Sequence, residues 1–377
     1  MRKILLSCIM MLAVAGCSSS QPTITDTAIS DEGPVTSQRI LVQVYGLTDN
    51  YPISYSWSAS GGDLEEWDET QYFAYWITPA EAGSYTVTCT IRDDDDNEDT
   101  VTFTVPVSER ELVDDLLEPD AEVITLTKQK DSRIGGIWAS IRGSNVRFLS
   151  SQVNEDTSWT YDLYVMLESF DDIFLDYALY GVESQGKEII VQTSDAERRL
   201  TCVSCFSFDT ISSLAIDVID SSILWVGSDS GLHYYADSTE TWEKYKILNV
   251  HDLFEGPQYT YAATDRGIYA LGAPAELLYT GDTCTVYVQE EGESITVYSV
   301  NGDSVLIDGS VLETQPEEVV CSLDMDLKGN LWCGKYFWDG SIWQSPPGLE
   351  GIPIVKSVVS NEGLVYLLSE SGSLFLW

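Results

Sequence analysis

Positive charge and histidine are the scarcest features of this sequence. It has 19 Lys and Arg against 61 Asp and Glu, and only two histidines, His233 and His251. So acidic a chain repels phosphate backbones, so nucleic acid is excluded as a partner. Histidine is the commonest general acid–base residue near neutral pH, and no Ser-His-Asp order or phosphate-cradling glycine loop occurs either. We therefore assign no catalytic residue and no organic cofactor.

Long apolar runs are also lacking, apart from one at the start of the chain. Met1-Arg2-Lys3 precede an apolar stretch from Ile4 to Ala15, and Gly16-Cys17 with three serines follow. A charged start, a short apolar core and small residues at its end are typical of a secretory signal. Residues 1–16 are therefore predicted to be a signal peptide, because the stretch is too short for a permanent membrane helix.

The end of this signal resembles the lipobox of bacterial lipoproteins in Val14-Ala15-Gly16-Cys17. The resemblance implies that Cys17 is lipidated and anchors the chain to a membrane through several acyl chains. Ser18 stands where an aspartate would retain a lipoprotein in the inner membrane, so the resemblance favours the outer membrane, on either face. An ordinary secretory signal with a chance cysteine is the alternative.

Residues 17–37 are rich in Ser, Thr, Pro and Asp and are predicted to be a flexible tether. Residues 38–107 then alternate in period two, with strand candidates at 40–45, 53–59, 73–78, 84–92 and 100–107. This pattern predicts a small β-sandwich. Ser108 and Glu111 form a capping box ahead of Leu112 and Leu116, which predicts a helical connector over residues 108–120.

The motifs of this sandwich resemble a PKD or related immunoglobulin-like domain. They are Tyr55-Ser56-Trp57, Gly61-Gly62, Tyr75-Trp76-Ile77-Thr78-Pro79 and Gly83-Ser84-Tyr85-Thr86-Val87-Thr88-Cys89. The resemblance implies that Trp57 packs between two sheets and that the domain serves as a spacer or an adhesion module.

A repeat runs through residues 121–377. Each copy has an aromatic residue in an apolar strand, then a Gly or Asn turn and a second apolar strand. The aromatic anchors, 34 to 45 residues apart, are Trp138, Tyr180, Trp225, Tyr261, Tyr298, Trp332 and Tyr366. A period near 40 made of short strands is typical of a β-propeller, so the seven anchors predict seven blades.

The last copy lacks one strand, and we expect residues 122–127 to supply it and to close the ring. Ile223-Leu224-Trp225-Val226-Gly227 with Ser230-Gly231-Leu232, and the copy around Trp332, resemble the propeller repeats of two-component regulators. The predicted fold class is therefore all-β: an N-terminal immunoglobulin-like sandwich followed by a seven-bladed propeller.

Two acidic features are candidates for chemistry. Asp217 and Asp324 each precede an anchor tryptophan by eight residues, so they could either face a central funnel as a catalytic pair or stabilise their blades. Asp93, Asp94, Asp95 and Asp96 crowd one hairpin loop and form a candidate calcium site, although the run lacks EF-hand spacing.

Six cysteines follow Cys17, in an exported protein that meets oxidising conditions. Cys321 and Cys333 lie on expected neighbouring strands and are the first candidate disulfide. Cys202 and Cys205 form an isolated C-x-x-C, which is weak evidence for zinc or redox chemistry. Buried free thiols are the alternative for all of them.

The leading functional hypothesis is an outer-membrane-anchored module that binds or scaffolds a protein or a glycan without catalysis. Its exposed aromatic contacts are expected from Trp338, Trp343, Tyr234 or Tyr235. The alternatives are an enzyme acting on polysaccharide or peptide through carboxylates in the propeller funnel, and the ligand-sensing domain of a signalling assembly.

Overall fold

The computed structural model is all-β and divides into two compact units, residues 1–110 and 111–377. It describes residues 21–31, 33–65, 71–114, 116–117, 121–128, 136–142, 146–149, 170–175, 179–183, 189–192, 197–200, 211–247, 249–272, 274–291 and 294–377. The predicted signal peptide, Cys17, Cys202 and Cys205 lie outside the described residues. Within those ranges, no helix is long and apolar enough to cross a membrane.

The first unit is a sandwich of two antiparallel sheets. One sheet has the order β1-β2-β5-β4 and the other β3-β6-β7. The strands are β1 (Thr23–Ile29), β2 (Arg39–Leu47), β3 (Ser54–Ala59), β4 (Asp63–Glu65), β5 (Phe73–Ile77), β6 (Gly83–Arg92) and β7 (Glu98–Val107).

Alternating side chains from both sheets form the core of this sandwich. Ile40 and Val42 of β2 meet Val87 and Ile91 of β6 in one buried cluster. Trp57 belongs to that cluster, at 8% exposure. In β2, β6 and β7 the buried face therefore follows the period-two pattern of the sequence.

Residues 23–29, which we expected in a flexible tether over residues 17–37, form strand β1 instead. Ile24 and Ile29 pack against the core, and the Ile24 amide donates to Asp99 Oδ2 at 2.9 Å. The polar residues between these two isoleucines hide the strand from a search for apolar periodicity.

The described residues of the second unit form seven antiparallel sheets in chain order, which we number as blades one to seven. Blade one has β8 (Val123–Lys128), β9 (Ile137–Ile141) and β10 (Val146–Leu149), and blade two has β11 (Phe170–Leu175), β12 (Leu179–Glu183), β13 (Ile189–Gln192) and β14 (Glu197–Leu200). Blade three has β15 (Ile211–Ile216), β16 (Ile223–Ser228), β17 (Gly231–Ala236) and β18 (Thr241–Lys244), and blade four has β19 (Val250–Glu255), β20 (Thr260–Thr264), β21 (Gly267–Leu271) and β22 (Glu276–Thr280).

Blades five to seven complete the series. Blade five has β23 (Thr285–Glu291), β24 (Ser294–Asn301), β25 (Ser304–Ile307) and β26 (Ser310–Val311), and blade six has β27 (Leu323–Met325), β28 (Leu331–Cys333), β29 (Tyr336–Trp338) and β30 (Trp343–Gln344). Blade seven has β31 (Ile354–Val359), β32 (Val365–Ser369) and β33 (Leu374–Leu376). Every aromatic anchor lies in the second strand of its sheet.

The first strands of the seven sheets form a closed ring. Each of β8, β11, β15, β19, β23, β27 and β31 contacts the next, and β31 contacts β8. Apolar clusters fill the spaces between successive sheets, for example where Trp225 of blade three meets Leu253 and Ala262 of blade four. These contacts are those of a seven-bladed propeller, in which each sheet buries its faces against its neighbours.

The prediction for closure of the ring was wrong about the strand that completes blade seven. Residues 123–128 are β8, which pairs with β9 as the innermost strand of blade one. The outer position of blade seven is instead taken by Val113, whose N–H donates to Leu376 O and whose C=O accepts from Leu376 N–H, both at 2.9 Å. We call this pair of bonds the seam.

The predicted helix over residues 108–120 is also absent from the described part of that segment. The Ser108 amide bonds to Pro34 O at 3.0 Å, and Ser108 O accepts from the Thr36 amide at 2.9 Å. Leu112 packs against the core of blade seven. Long-range backbone pairing thus replaced the local capping box, since tertiary contacts override helix propensity.

Candidate functional site

Asp217 is a structural residue of blade three. One carboxylate oxygen accepts the backbone amides of Ile219 and Asp220, both at 2.9 Å. The other accepts Trp225 Nε1 at 2.7 Å. The carboxylate therefore closes a turn and fixes the buried anchor tryptophan, which is the blade-stabilising alternative considered from the sequence.

Asp324 is not the counterpart of Asp217. In blade six the anchor indole, Trp332 Nε1, donates to Asp326 Oδ2 at 3.0 Å. Asp324 lies in β27, and its Oδ2 accepts the Val359 amide of the next blade at 2.7 Å. Burial raises the pKa of Asp324. Asp217 and Asp324 thus have separate partners and do not form a catalytic pair. The eight-residue spacing pointed to Asp324 instead of Asp326, because the turn before the anchor tryptophan is shorter in blade six.

A band of polar side chains, missed in the sequence, joins the innermost strands. The register shifts at the same place in β8, β15, β19 and β31, just before Thr125, Ser213, Asp252 and Lys356. Each of these residues pairs with the residue two positions after its anchor, as Thr285 of β23 also does. We call these five residues the polar girdle. A comparison of positions relative to the anchors would have revealed it.

Asp252 is the acidic residue of the polar girdle, and it links blades three, four and five. Its oxygens accept Ser213 Oγ at 3.3 Å and Thr285 Oγ1 at 2.6 Å. Lys356 Nζ donates to Thr125 Oγ1 at 3.1 Å, which links blade seven to blade one. Burial raises the pKa of Asp252, although the Thr285 hydrogen bond and the charge of Lys356 act against it. The hydroxyl and amide donors around this carboxylate explain it as a link between blades.

The acidic loop does not bring its carboxylates together as a calcium site. Asp93 Oδ1 accepts the amides of Asp95 and Asn97 at 3.0 and 2.9 Å, and Asn97 Nδ2 reaches both of its oxygens. Burial raises the pKa of Asp93, but these donors outweigh it and the net pKa is lowered. Asp96 instead pairs with Arg92 at 3.6 Å. Donors of the loop itself occupy the Asp93 carboxylate, so Asp93, Asp94, Asp95 and Asp96 form a capped turn.

Among the cysteines that the structure describes, Cys321 forms a disulfide with Cys284, not with Cys333 as predicted. Cys284 and Cys321 each precede the innermost strand of a blade, and they are 37 residues apart. Cys333 lies in the second strand of blade six as a buried free thiol, and its Sγ faces Val320 O at 3.4 Å. The neighbouring-strand argument failed because Cys333 pairs with Leu323 rather than with Cys321. Cys89 is also buried and takes no part in a disulfide.

The four aromatic residues expected at a binding surface have different surroundings. Tyr235 is buried in the core of blade three. Trp338 packs into the cluster between blades five and six. Tyr234 bonds to Glu243 Oε2 at 2.5 Å. Trp343 lines a cavity.

The cavity beside Trp343, which we call the blade-six pocket, has a volume of about 460 Å³. Trp343 and Tyr336 contribute aromatic surface, and fully buried Leu349 contributes apolar surface. Its polar lining includes Gln315, Glu317, Lys335, Gln344 and Glu350. Ligand pockets typically combine apolar and aromatic walls with a few polar groups that orient the ligand.

Local contacts hold the walls of the blade-six pocket. Trp343 Nε1 donates to Thr314 O at 3.0 Å, which fixes the plane of the indole. Tyr336 Oη donates to Glu317 Oε2 at 3.4 Å. Lys335 Nζ contacts Glu318 at 3.2 Å and lies 5.4 Å from the Tyr336 ring centroid. Burial and the charges of Glu317 and Glu318 raise the pKa of Tyr336, so its hydroxyl is a donor at neutral pH.

Comparison with known proteins shows a likeness in fold alone. No family model and no curated protein matches the chain. An extracellular domain assigned to a hybrid two-component system of B. thetaiotaomicron aligns with a TM-score of 0.51 at 14% identity, over 71% of this chain and 39% of that one. A second such domain from the same organism aligns with a TM-score of 0.36 at 12% identity, over 95% of this chain and 53% of that one. This chain thus spans about two fifths to half of the length of these solved relatives.

Proposed function

We propose that this protein is a non-catalytic binding module that takes an uncharged oligosaccharide in the blade-six pocket. The observation that carries the proposal is the lining of that pocket. Trp343 and Tyr336 offer ring surfaces for the C–H faces of a sugar, and Gln344 lies beside them with an amide oxygen, its Nε2 donating to Asp339. Gln315 is part of the wall, since its amide group bonds to the backbone of Val305 and Leu312.

The size and charge of the pocket favour a glycan over a protein surface. A concave volume of about 460 Å³ suits a ligand of a few rings, whereas protein interfaces are broad and mostly shallow. Glu317 and Glu350 add negative charge to a chain whose formal charge is −42. Acidic glycans would therefore be repelled, and uncharged ones are expected.

The absence of catalysis belongs to the same proposal. Glu317 and Glu350 are both exposed, whereas the acid of a glycoside hydrolase lies in an apolar pocket. Asp217 and Asp324, the carboxylates suspected from the sequence, have structural partners instead.

The location that we propose is the cell exterior or the periplasm, with the chain held to the outer membrane by lipid on Cys17. The supporting observation is the signal and lipobox pattern of residues 1–17. Labelling with radioactive palmitate tests it, since Cys17→Ser should abolish both the label and the membrane fraction of the protein.

Titration with a panel of uncharged oligosaccharides, followed by calorimetry, tests the pocket. Tyr336→Ala and Gln344→Ala should each weaken binding by roughly tenfold, equivalent to about 1.4 kcal/mol. Tyr259→Ala is the matched control, because this half-exposed tyrosine lines a different cavity between blades four and five. Binding by no member of the panel, equal affinity in the variants, or release of new reducing ends would each refute the proposal.

A ligand-sensing role is the second candidate, and the shared fold with the extracellular domain of a two-component system is the observation that favours it. It requires that the bound module pass its state to a partner. Cross-linking in envelopes with and without the glycan would test this, since a sensor should show a ligand-dependent partner and a simple binding module should not.

A further inference from the structure

Three metal-ligating side chains meet at the edge of blade four. His251 is the extra residue at the register shift of β19. Asp265 lies in the turn between β20 and β21, and Asp282 lies in the loop between β22 and β23. One ligand atom from each residue lies within 4.8 Å of the other two, and this is the one such group of three among the residues that the structure describes.

We infer that His251, Asp265 and Asp282 bind one divalent transition-metal ion of the zinc class. His251 Nε2 is 2.5 Å from Asp265 Oδ1 and 3.8 Å from Asp282 Oδ1. Ligand atoms about 2.0–2.2 Å from a tetrahedral zinc ion lie about 3.3–3.6 Å from each other. The two observed distances fall on either side of this range, so small side-chain rotations create the site.

The donor set determines the class of ion. Calcium and magnesium prefer shells made of oxygen alone, whereas an imidazole nitrogen selects zinc, copper, nickel or iron. The site therefore differs in kind from the acidic loop at Asp93, which offers only oxygens and fills them with its own amide donors. Three protein ligands leave a fourth tetrahedral position for water or for a donor atom of a bound molecule.

A neighbouring side chain positions one of the ligands. Asn249 Nδ2 donates to Asp265 Oδ2 and leaves Oδ1 directed at His251. Hydrogen bonds of this kind orient the ligands in metal sites.

Calorimetric titration of the full chain with zinc chloride tests the inference. We expect one equivalent of zinc to bind more tightly than calcium. His251→Ala and Asp282→Asn should each weaken this event by at least a hundredfold, because loss even of an orienting partner costs ten- to hundredfold. Asp303→Asn is the matched control. Asp303 lies in the turn of blade five that corresponds to the turn of Asp265 in blade four, so this substitution should leave zinc binding unchanged.

Nitrogen-15 spectra of the imidazole groups give an independent readout, because the chain has only two histidines. Zinc should shift one of the two sets of signals, and that set should be missing in His251→Ala. A zinc site elsewhere in the chain would survive this substitution and overturn the inference. Equal binding in wild type and variants, several weak events that follow the overall charge, or a preference for calcium would also overturn it, and His251 would then be an ordinary ion-pair partner of Asp265.

Discussion

The hydrogen bond between Asp217 and Trp225 gives the sharpest stability prediction. Asp217→Ala removes the acceptor of the buried indole N–H and of two turn amides. Trp225 is only 6% exposed, whereas Ile219 is 71% exposed. The indole N–H is therefore left without an acceptor, while water can reach the turn amides. An unsatisfied buried donor costs about 1–3 kcal/mol, and loss of the turn adds up to about 1 kcal/mol.

We therefore expect Asp217→Ala to lower the free energy of unfolding by about 2–3 kcal/mol in urea titrations followed by far-ultraviolet circular dichroism. Asp217→Asn should cost less, because one amide oxygen still accepts from either the turn or the indole. Asp220→Ala is the control: this exposed residue caps only Ser222, and its replacement should cost about 0.5 kcal/mol.

A double-mutant cycle isolates the bond itself. In a Trp225→Phe background the indole N–H is gone, so Asp217→Ala should lose at least about 1 kcal/mol of its effect. An effect of Asp217→Ala that equals that of Asp220→Ala, or that is unchanged in the Phe background, would refute the reasoning.

Three further changes test other parts of the structure. Replacing Cys284 and Cys321 by serine should lower the free energy of unfolding by about 4 kcal/mol, the chain-entropy value for a separation of 37 residues; non-reducing peptide maps that join either cysteine elsewhere would contradict the pairing. Val113→Pro removes the amide that donates to Leu376 O and should cost about 1–3 kcal/mol, whereas Val113→Ala, at a half-exposed side chain, should cost under about 0.5 kcal/mol; equal thermal melts would count against the seam. Because the folded-state pKa of Asp252 is raised above 3.8, its protonated form favours the folded state, so the contribution of Asp252 to the free energy of unfolding should rise as pH falls from neutral through that pKa and level off near 3.8. Asp252→Asn should flatten this rise, and an unchanged pH profile would show that the carboxyl is not responsible.

Local pattern was enough to predict the repeat and the core. Trp225 and Trp332 each lie in the second strand of a blade, because an apolar strand between two others must bury both faces. The predicted fold class, an all-β chain with a sandwich and a propeller, is confirmed. In the sandwich, period-two alternation located the five strands that contribute most to the core.

Contacts between distant residues could not be predicted by the same means. Val113 and Leu376 are joined only because the ring brings both ends of the second unit together. The partner of Cys321 is set by the approach of two blades. His251, Asp265 and Asp282 come from three separate segments, and no spacing rule unites them. A sequence pattern predicts which residues of one strand are buried, whereas a site depends on which strands lie next to each other in the fold.

The two backbone bonds between Val113 and Leu376 also make the propeller vulnerable at one place. A force applied to the chain ahead of Val113 would act on these two hydrogen bonds before it reached any complete sheet, and the two bonds would break one after the other. Blade seven would then lose its outer cover while blades three to five kept all four of their own strands. Mechanical failure and proteolytic attack should therefore begin at the same edge and travel from blade seven towards its neighbours.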